Sequence, residues 1–189
     1  HAYHRRQRQM CIRDRAHAYS NLYGIECIGL RFFTVYGPWG RPDMALFKFT
    51  KNILEDKEID VYNNGNHSRD FTYVDDIVEG IYLSSISKKE LIDSNFDSKD
   101  PSRSFCKSII FNLGRGKPEN LEDFIDEIES NLGKRAKRNL MPLQPGDVPD
   151  TSADISGLKD FSGYEPKTSI KIGVKNFIDW YKEYYKVNL

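Results

Sequence analysis

Cysteine is scarce in this sequence, and its three copies, Cys11, Cys27 and Cys106, lie far apart. An odd, scattered set without ligand-like spacing argues against a disulfide framework or a zinc site and fits a reducing cytoplasm. No apolar run approaches the ~20 residues of a membrane span, and no apolar core follows the N-terminal arginines as in a secretory signal. Excess charge is missing too. Lys+Arg and Asp+Glu number 28 each, so no overall field draws the chain to nucleic acid or an anionic membrane. A Gly-rich phosphate loop is also absent. Gly114-Arg115-Gly116 comes nearest to G-x-G-x-x-G, but Glu119 stands where the third glycine belongs.

What is present suits about one domain: 189 residues, 39% apolar and 13% aromatic, enough for a packed core. His1 to Arg15 differs from the rest, with five arginines, two histidines and two glutamines and little apolar periodicity. A basic arm for phosphates is one reading. The blander one is a non-native stretch, since residues 8–15 resemble translated adapter sequence, and 1–15 are set aside from the fold.

From Ala16 onward helix and strand patterns alternate. Ala16 to Tyr23 reads as a helix end stopped by Gly24, and Glu26 to Phe33 as a buried parallel strand. Met44 to Glu55 reads as a helix with Leu46, Phe47, Thr50, Ile53 and Leu54 on one face. Asp60 to Tyr62 is a short strand before an Asn-rich turn, and Arg69 to Tyr73 resumes extended structure. Thr72 and Asp75 offer a capping box for a helix from Val74 to about Ser85. Lys88 to Lys107 is one long polar loop, and Ser108 to Leu113 a second buried strand. Asn120 caps a helix with Leu121, Phe124, Ile125, Ile128 and Leu132 on one face. The last helix starts near Thr168 and buries Ile170, Val174, Phe177, Ile178 and Tyr181. This alternation predicts an α/β fold with parallel strands.

Three segments carry chemistry. Residues 31–44, RFFTVYGPWGRPDM, leave a strand through glycines and prolines and offer the Thr34 hydroxyl and the Arg41 guanidinium; the alternative is a stiff surface turn. In residues 67–76, HSRDFTYVDD, Arg69 suits a bidentate phosphate clamp. The bland reading is a surface pair with Asp70 or Asp75, and His17 and His67 read as polar surface. Asp75 and Asp76 favour the helix start through its dipole. In residues 144–154, Asp147 can accept from sugar hydroxyls, or the segment is a turn before a helix that Asp154 caps.

Taken together, RFFTVYGPWGRPDMA, IDVYNNGNHSRDFTYVDDIVEGI and PGDVPxTxAD resemble the UDP-glucuronate 4-epimerases, of the extended short-chain dehydrogenase/reductases, from Ala16 to the end. The resemblance implies an incomplete Rossmann-like fold: the last strands and helices, interleaved over 16–189 with a small C-terminal substrate-binding subdomain. It implies NAD as cofactor and a UDP-sugar as partner, with no metal, and a homodimer as the parent's possible state. Phe32 and Phe33 match positions where the chain passes the nicotinamide. Thr34 matches a substrate-facing position, where galactose-type 4-epimerases carry Asn. Arg41 matches an arginine at the nucleotide-sugar end, and Val61 and Tyr62 the strand along the uracil. Arg69 matches the diphosphate arginine, and Gln144 and Asp147 the ribose-side loop.

The family's Y-x-x-x-K motif, counted back from Ala16, falls at Arg5 and Gln9, so this sequence lacks both the catalytic tyrosine and its lysine. The resemblance implies that tyrosinate takes the sugar 4-hydroxyl proton while hydride passes from C4 to NAD, the lysine lowering the tyrosine pKa. The expectation is therefore the C-terminal half of an NAD-dependent epimerase that interconverts UDP-glucuronate and UDP-galacturonate only in its parent. The other readings are a non-catalytic nucleotide-sugar-binding module and, among enzymes, a UDP-glucose 4-epimerase, sugar-nucleotide dehydratase or decarboxylase.

Overall fold

The computed structural model describes residues 2–91 and 102–187, with side chains described from residue 10 onward. Residues 92–101 of the expected long loop, and the side chains at Arg5 and Gln9, lie outside what is described. Helix α1 (Ala2–Tyr23) extends the expected helix end back through the arginine-rich stretch. Residues 10–15 are all exposed, and the first fully buried side chain is Ser20. Gly24 ends it at φ +67°, a left-handed value that glycine takes without steric cost, and returns its N–H to the Ser20 carbonyl.

Strand β1 (Cys27–Phe32) follows, then β2 (Thr34–Tyr36) and helix α2 (Ala45–Leu54). After these come β3 (Glu58–Tyr62), a single turn at 63–65, β4 (Ser68–Arg69), β5 (Phe71–Tyr73) and helix α3 (Val74–Ile86). The second half supplies β6 (Ser108–Leu113), β7 (Glu119–Asn120), α4 (Leu121–Leu132), β8 (Lys137–Met141), α5 (Ser156–Ser162) and α6 (Ile170–Tyr185). The pairs β1–β6, β2–β5 and β3–β8 run parallel and β4–β7 antiparallel. Each joins distant stretches of chain, which is the parallel α/β order expected of a Rossmann-like fold. The first residue of β2 therefore meets the link between β4 and β5: the Thr34 N–H donates to the Asp70 carbonyl.

Two apolar cores hold these pairs. One gathers α2, α4 and α6 over β3 and β5, with Phe71 stacked on Phe124 at 4.1 Å between centroids. The other packs α3 and α5 against β6 through Ile77, Phe111, Leu158 and Tyr164. On α2 the buried face is Leu46, Phe47, Phe49, Thr50 and Ile53; Phe49 joins the expected set and Leu54 lies at its margin. On α6, Gly173 is required because a Cβ there would meet the Tyr36 hydroxyl at 2.3 Å. Strand β1 is less buried than expected: Gly29, Arg31 and Phe32 are exposed, because β6 takes one edge and only alternate residues turn toward packed neighbours.

Two expected caps are absent. The Thr72 hydroxyl donates to Asp70 rather than capping α3, and that helix starts at Tyr73 without a side-chain cap. Asn120 does occupy the cap position of α4, but its side chain makes no capping bond. Asp154 stands one residue before the cap position of α5, which is Ile155, and accepts from the Ser156 N–H and hydroxyl.

Candidate functional site: a cleft at Arg41 and a separate arginine–aspartate pair at Arg69

The loop leaving β2 is shaped by close approaches. Gly37 sits at φ +141°, and a Cβ there would meet Val74 Cγ1 at 2.7 Å. Trp39 leans on Trp180 and Tyr184 of α6, with ring centroids 5.2 and 5.0 Å away, so the loop is pinned by aromatic contact. Arg41 is thereby held at the surface, where its guanidinium pairs with Asp43 through Nε to Oδ1 at 3.0 Å and a second, shorter contact. That hydrogen bond raises the Arg41 pKa and lowers that of Asp43. Thr34, Gly37, Gly40, Arg41 and Met44 line a cleft of about 40 Å³, floored by Phe71 and Phe124. Thr34 and Arg41, expected together, do share one cavity.

Arg69, on β4, is not among the residues that line this cleft. Its guanidinium donates to the Pro149 carbonyl at 2.7 Å and to Asp147 Oδ1 at 3.1 Å, and only 19% of its side chain is exposed. Neither Asp70 nor Asp75 is its partner, which corrects the surface-pair alternative. Arg69 and Asp147, both expected at the ligand, are thus in direct contact. Gln144 joins them through its carbonyl, which accepts from the Asp147 N–H. Val61 is fully buried in the first core, so neither its side chain nor its backbone is open to a ligand, and Tyr62 is half-buried at the strand end. Phe32 is 52% exposed at the carboxyl end of β1, while Phe33 ties its N–H to the Leu113 carbonyl.

Sequence reasoning missed the residue that organises this region. Asp70 is fully buried, and its carboxylate accepts from the N–H groups of Arg115, Gly116 and Ala153 at 2.7, 2.9 and 3.0 Å and from the Thr72 hydroxyl at 3.1 Å. The Gly114-Arg115-Gly116 turn therefore does cradle an anion, but an internal one. Its amides do not face a pyrophosphate, and no other described segment offers the dinucleotide's phosphates a Gly-rich cradle. Asp76 plays a similar part, accepting from the Thr168 N–H and hydroxyl and from the Lys167 N–H rather than serving only the helix dipole. A carboxylate inside a Phe71-Thr72-Tyr73 run of strand formers was the available signal for Asp70.

Residues 7–92 match the profile of the NAD dependent epimerase/dehydratase family. Protein CapI of Staphylococcus aureus is 53% identical over 90% of this chain and 52% of its own length. UDP-glucuronate 4-epimerase 2 of Arabidopsis thaliana is 44% identical over 90% of this chain and 39% of its own. Among solved structures, UDP-glucuronic acid 4-epimerase from Bacillus cereus, in complex with UDP-glucuronic acid and NAD, superposes with a TM-score of 0.75 at 32% identity. It covers 90% of this chain and 49% of that one. The chain spans about half the length of the curated relatives it matches. The likeness supports an epimerase-like, Rossmann-type α/β architecture.

None of the three cysteines is paired with another. Among the described residues no cluster of His, Cys, Asp and Glu is placed to hold a metal, and no helix is long and apolar enough to cross a membrane.

Proposed function

We propose that this chain supplies the UDP-sugar side of an NAD-dependent 4-epimerase acting on UDP-glucuronate, with UDP-galacturonate as the epimer. The observation that carries the reading is the placement of Arg69 beside Gln144 and Asp147, with Thr34 and Arg41 together in a separate cleft. A doubly phosphorylated ligand displaces a carboxylate from a guanidinium because both offer the same paired oxygens. In this reading Arg69 exchanges Asp147 for the diphosphate, and the released Asp147 turns to the ribose hydroxyls. Arg41 likewise exchanges Asp43 for the uronate carboxylate, and Thr34 faces the sugar. The Tyr62 end of β3 borders the uracil, and Phe32 and Phe33 border the nicotinamide. When bound, NAD takes and returns the hydride at C4. The base for the 4-hydroxyl proton is not among these residues, since Arg5 and Gln9 occupy the tyrosine and lysine positions. The chain by itself therefore binds without turning over. Residues 1–15 are proposed to take no part.

Calorimetric titration of UDP-glucuronate into the chain and its Arg69→Ala variant tests this reading. The variant is expected to bind more weakly by about 1.5–3 kcal/mol, the worth of a charge-assisted hydrogen bond. Equal affinities would leave Arg69 a loop anchor only, and measurable epimerisation by the chain alone would overturn the assignment of the missing base.

A further inference from the structure

His67 is 5% exposed and faces the same loop as Arg69. Its Nδ1 lies 3.1 Å from the Pro149 carbonyl, which can only accept, so that nitrogen carries the ring proton. The other nitrogen, Nε2, is buried without a hydrogen-bond partner, 3.5 Å from Asp147 Oδ2. A neutral imidazole thus aims a lone pair at a carboxylate, acceptor against acceptor. Protonation turns that nitrogen into a donor and the contact into an ion pair. Asp147 would then have two cations in reach, His67 on Oδ2 and Arg69 on Oδ1.

We propose that His67 is a positioning residue whose protonation takes over Asp147 and frees Arg69 for an anionic ligand. This rests on the assignment of Arg69 to the diphosphate. The other charged groups around His67 are already engaged or turned elsewhere. Glu119, opposite Arg69 on β7, pairs with Arg115, and Glu122, which crowds Gly65, pairs with Arg138. Asp150 meets Ser68 through a backbone bridge. Asp147 is the carboxylate at Nε2. Gain of one positive charge beside Arg69 strengthens anion binding, so affinity rises as the ring takes up a proton.

UDP-glucuronate suits the test because its diphosphate diester and carboxylate stay ionised from pH 8 to pH 5.5. Affinity for it is expected to rise about two- to fivefold over that span, the worth of a partly exposed ion pair. His67→Gln and Asp147→Asn should each flatten the profile. A profile shared by wild type and His67→Gln overturns the proposal. A second arm needs no ligand: the thermal midpoint of wild type minus that of His67→Gln should grow as pH falls, and the growth should vanish in an Asp147→Asn background. A constant difference overturns the His67–Asp147 contact itself. If that second arm succeeds while no form binds UDP-glucuronate, the fault lies in the assignment of the ligand, and the release of Arg69 toward it is overturned with it.

Discussion

Replacing Asp70 by alanine removes an acceptor on which four donors converge, and the loss can be worked out bond by bond. The Ala153 N–H is buried and has no other acceptor nearby, so it takes the penalty of an unsatisfied donor, about 1–3 kcal/mol. The N–H groups of Arg115 and Gly116 are part-exposed, and water recovers much of their loss, leaving roughly 0.5–1 kcal/mol each. The Thr72 hydroxyl is buried as well and loses a bond worth about 0.5–1.5 kcal/mol. Ending the burial of the carboxylate returns some stability, which offsets part of this sum. The expected net destabilisation is about 3 kcal/mol. Asp70→Asn keeps one oxygen but turns an NH₂ toward amide donors, and should lose roughly half as much. Urea unfolding followed by far-ultraviolet circular dichroism measures both. A loss below about 1 kcal/mol for Asp70→Ala would show that these bonds do not organise the region.

Glu129 on α4 is 4% exposed. Burial resists its ionisation, but bonds from Arg138, Arg135 and the Ala136 N–H outweigh that and hold its pKa below the usual range. A depressed folded pKa means its contribution is full above the unfolded value of about 4.3 and is lost as pH falls through the folded one. Glu129→Gln should therefore be less stable than wild type at pH 7, with the gap closing in acid; a gap independent of pH in denaturant titrations would contradict this. Gly173→Ala should cost about 1–3 kcal/mol by overpacking against Tyr36. Adding Tyr36→Phe removes the nearest atom and should restore part of that loss in thermal melts, whereas strict additivity would refute the steric cause.

Much of the fold was legible because burial imposes periodicity. The helical faces of α2, α4 and α6, and the alternation of Ile109, Phe111 and Leu113 on β6, can be read from spacing alone. Strand β8 could not be: Lys137-Arg138-Asn139-Leu140-Met141 has no strand pattern and is extended because β3 supplies its partner and Arg138 meets Asp126 and Glu129. Tertiary pairing overrides local preference there.

At the site, motif resemblance selected Thr34, Arg41, Arg69, Gln144 and Asp147. Spacing alone gave no way to know that Arg69 and Asp147 would touch across 78 positions. The buried groups Asp70 and His67 read as surface because their partners, Arg115, Gly116 and Ala153 for one and the Pro149 carbonyl for the other, lie on loops remote in sequence. A polar residue's burial is decided by partners that local pattern does not encode.

Solving the structure of the chain with UDP-glucuronate tests most directly whether Arg69 is a diphosphate ligand. The account predicts its guanidinium within about 2.9 Å of phosphate oxygens, with Asp147 released. A bound sugar nucleotide that leaves Arg69 on Asp147 and Pro149 would contradict it.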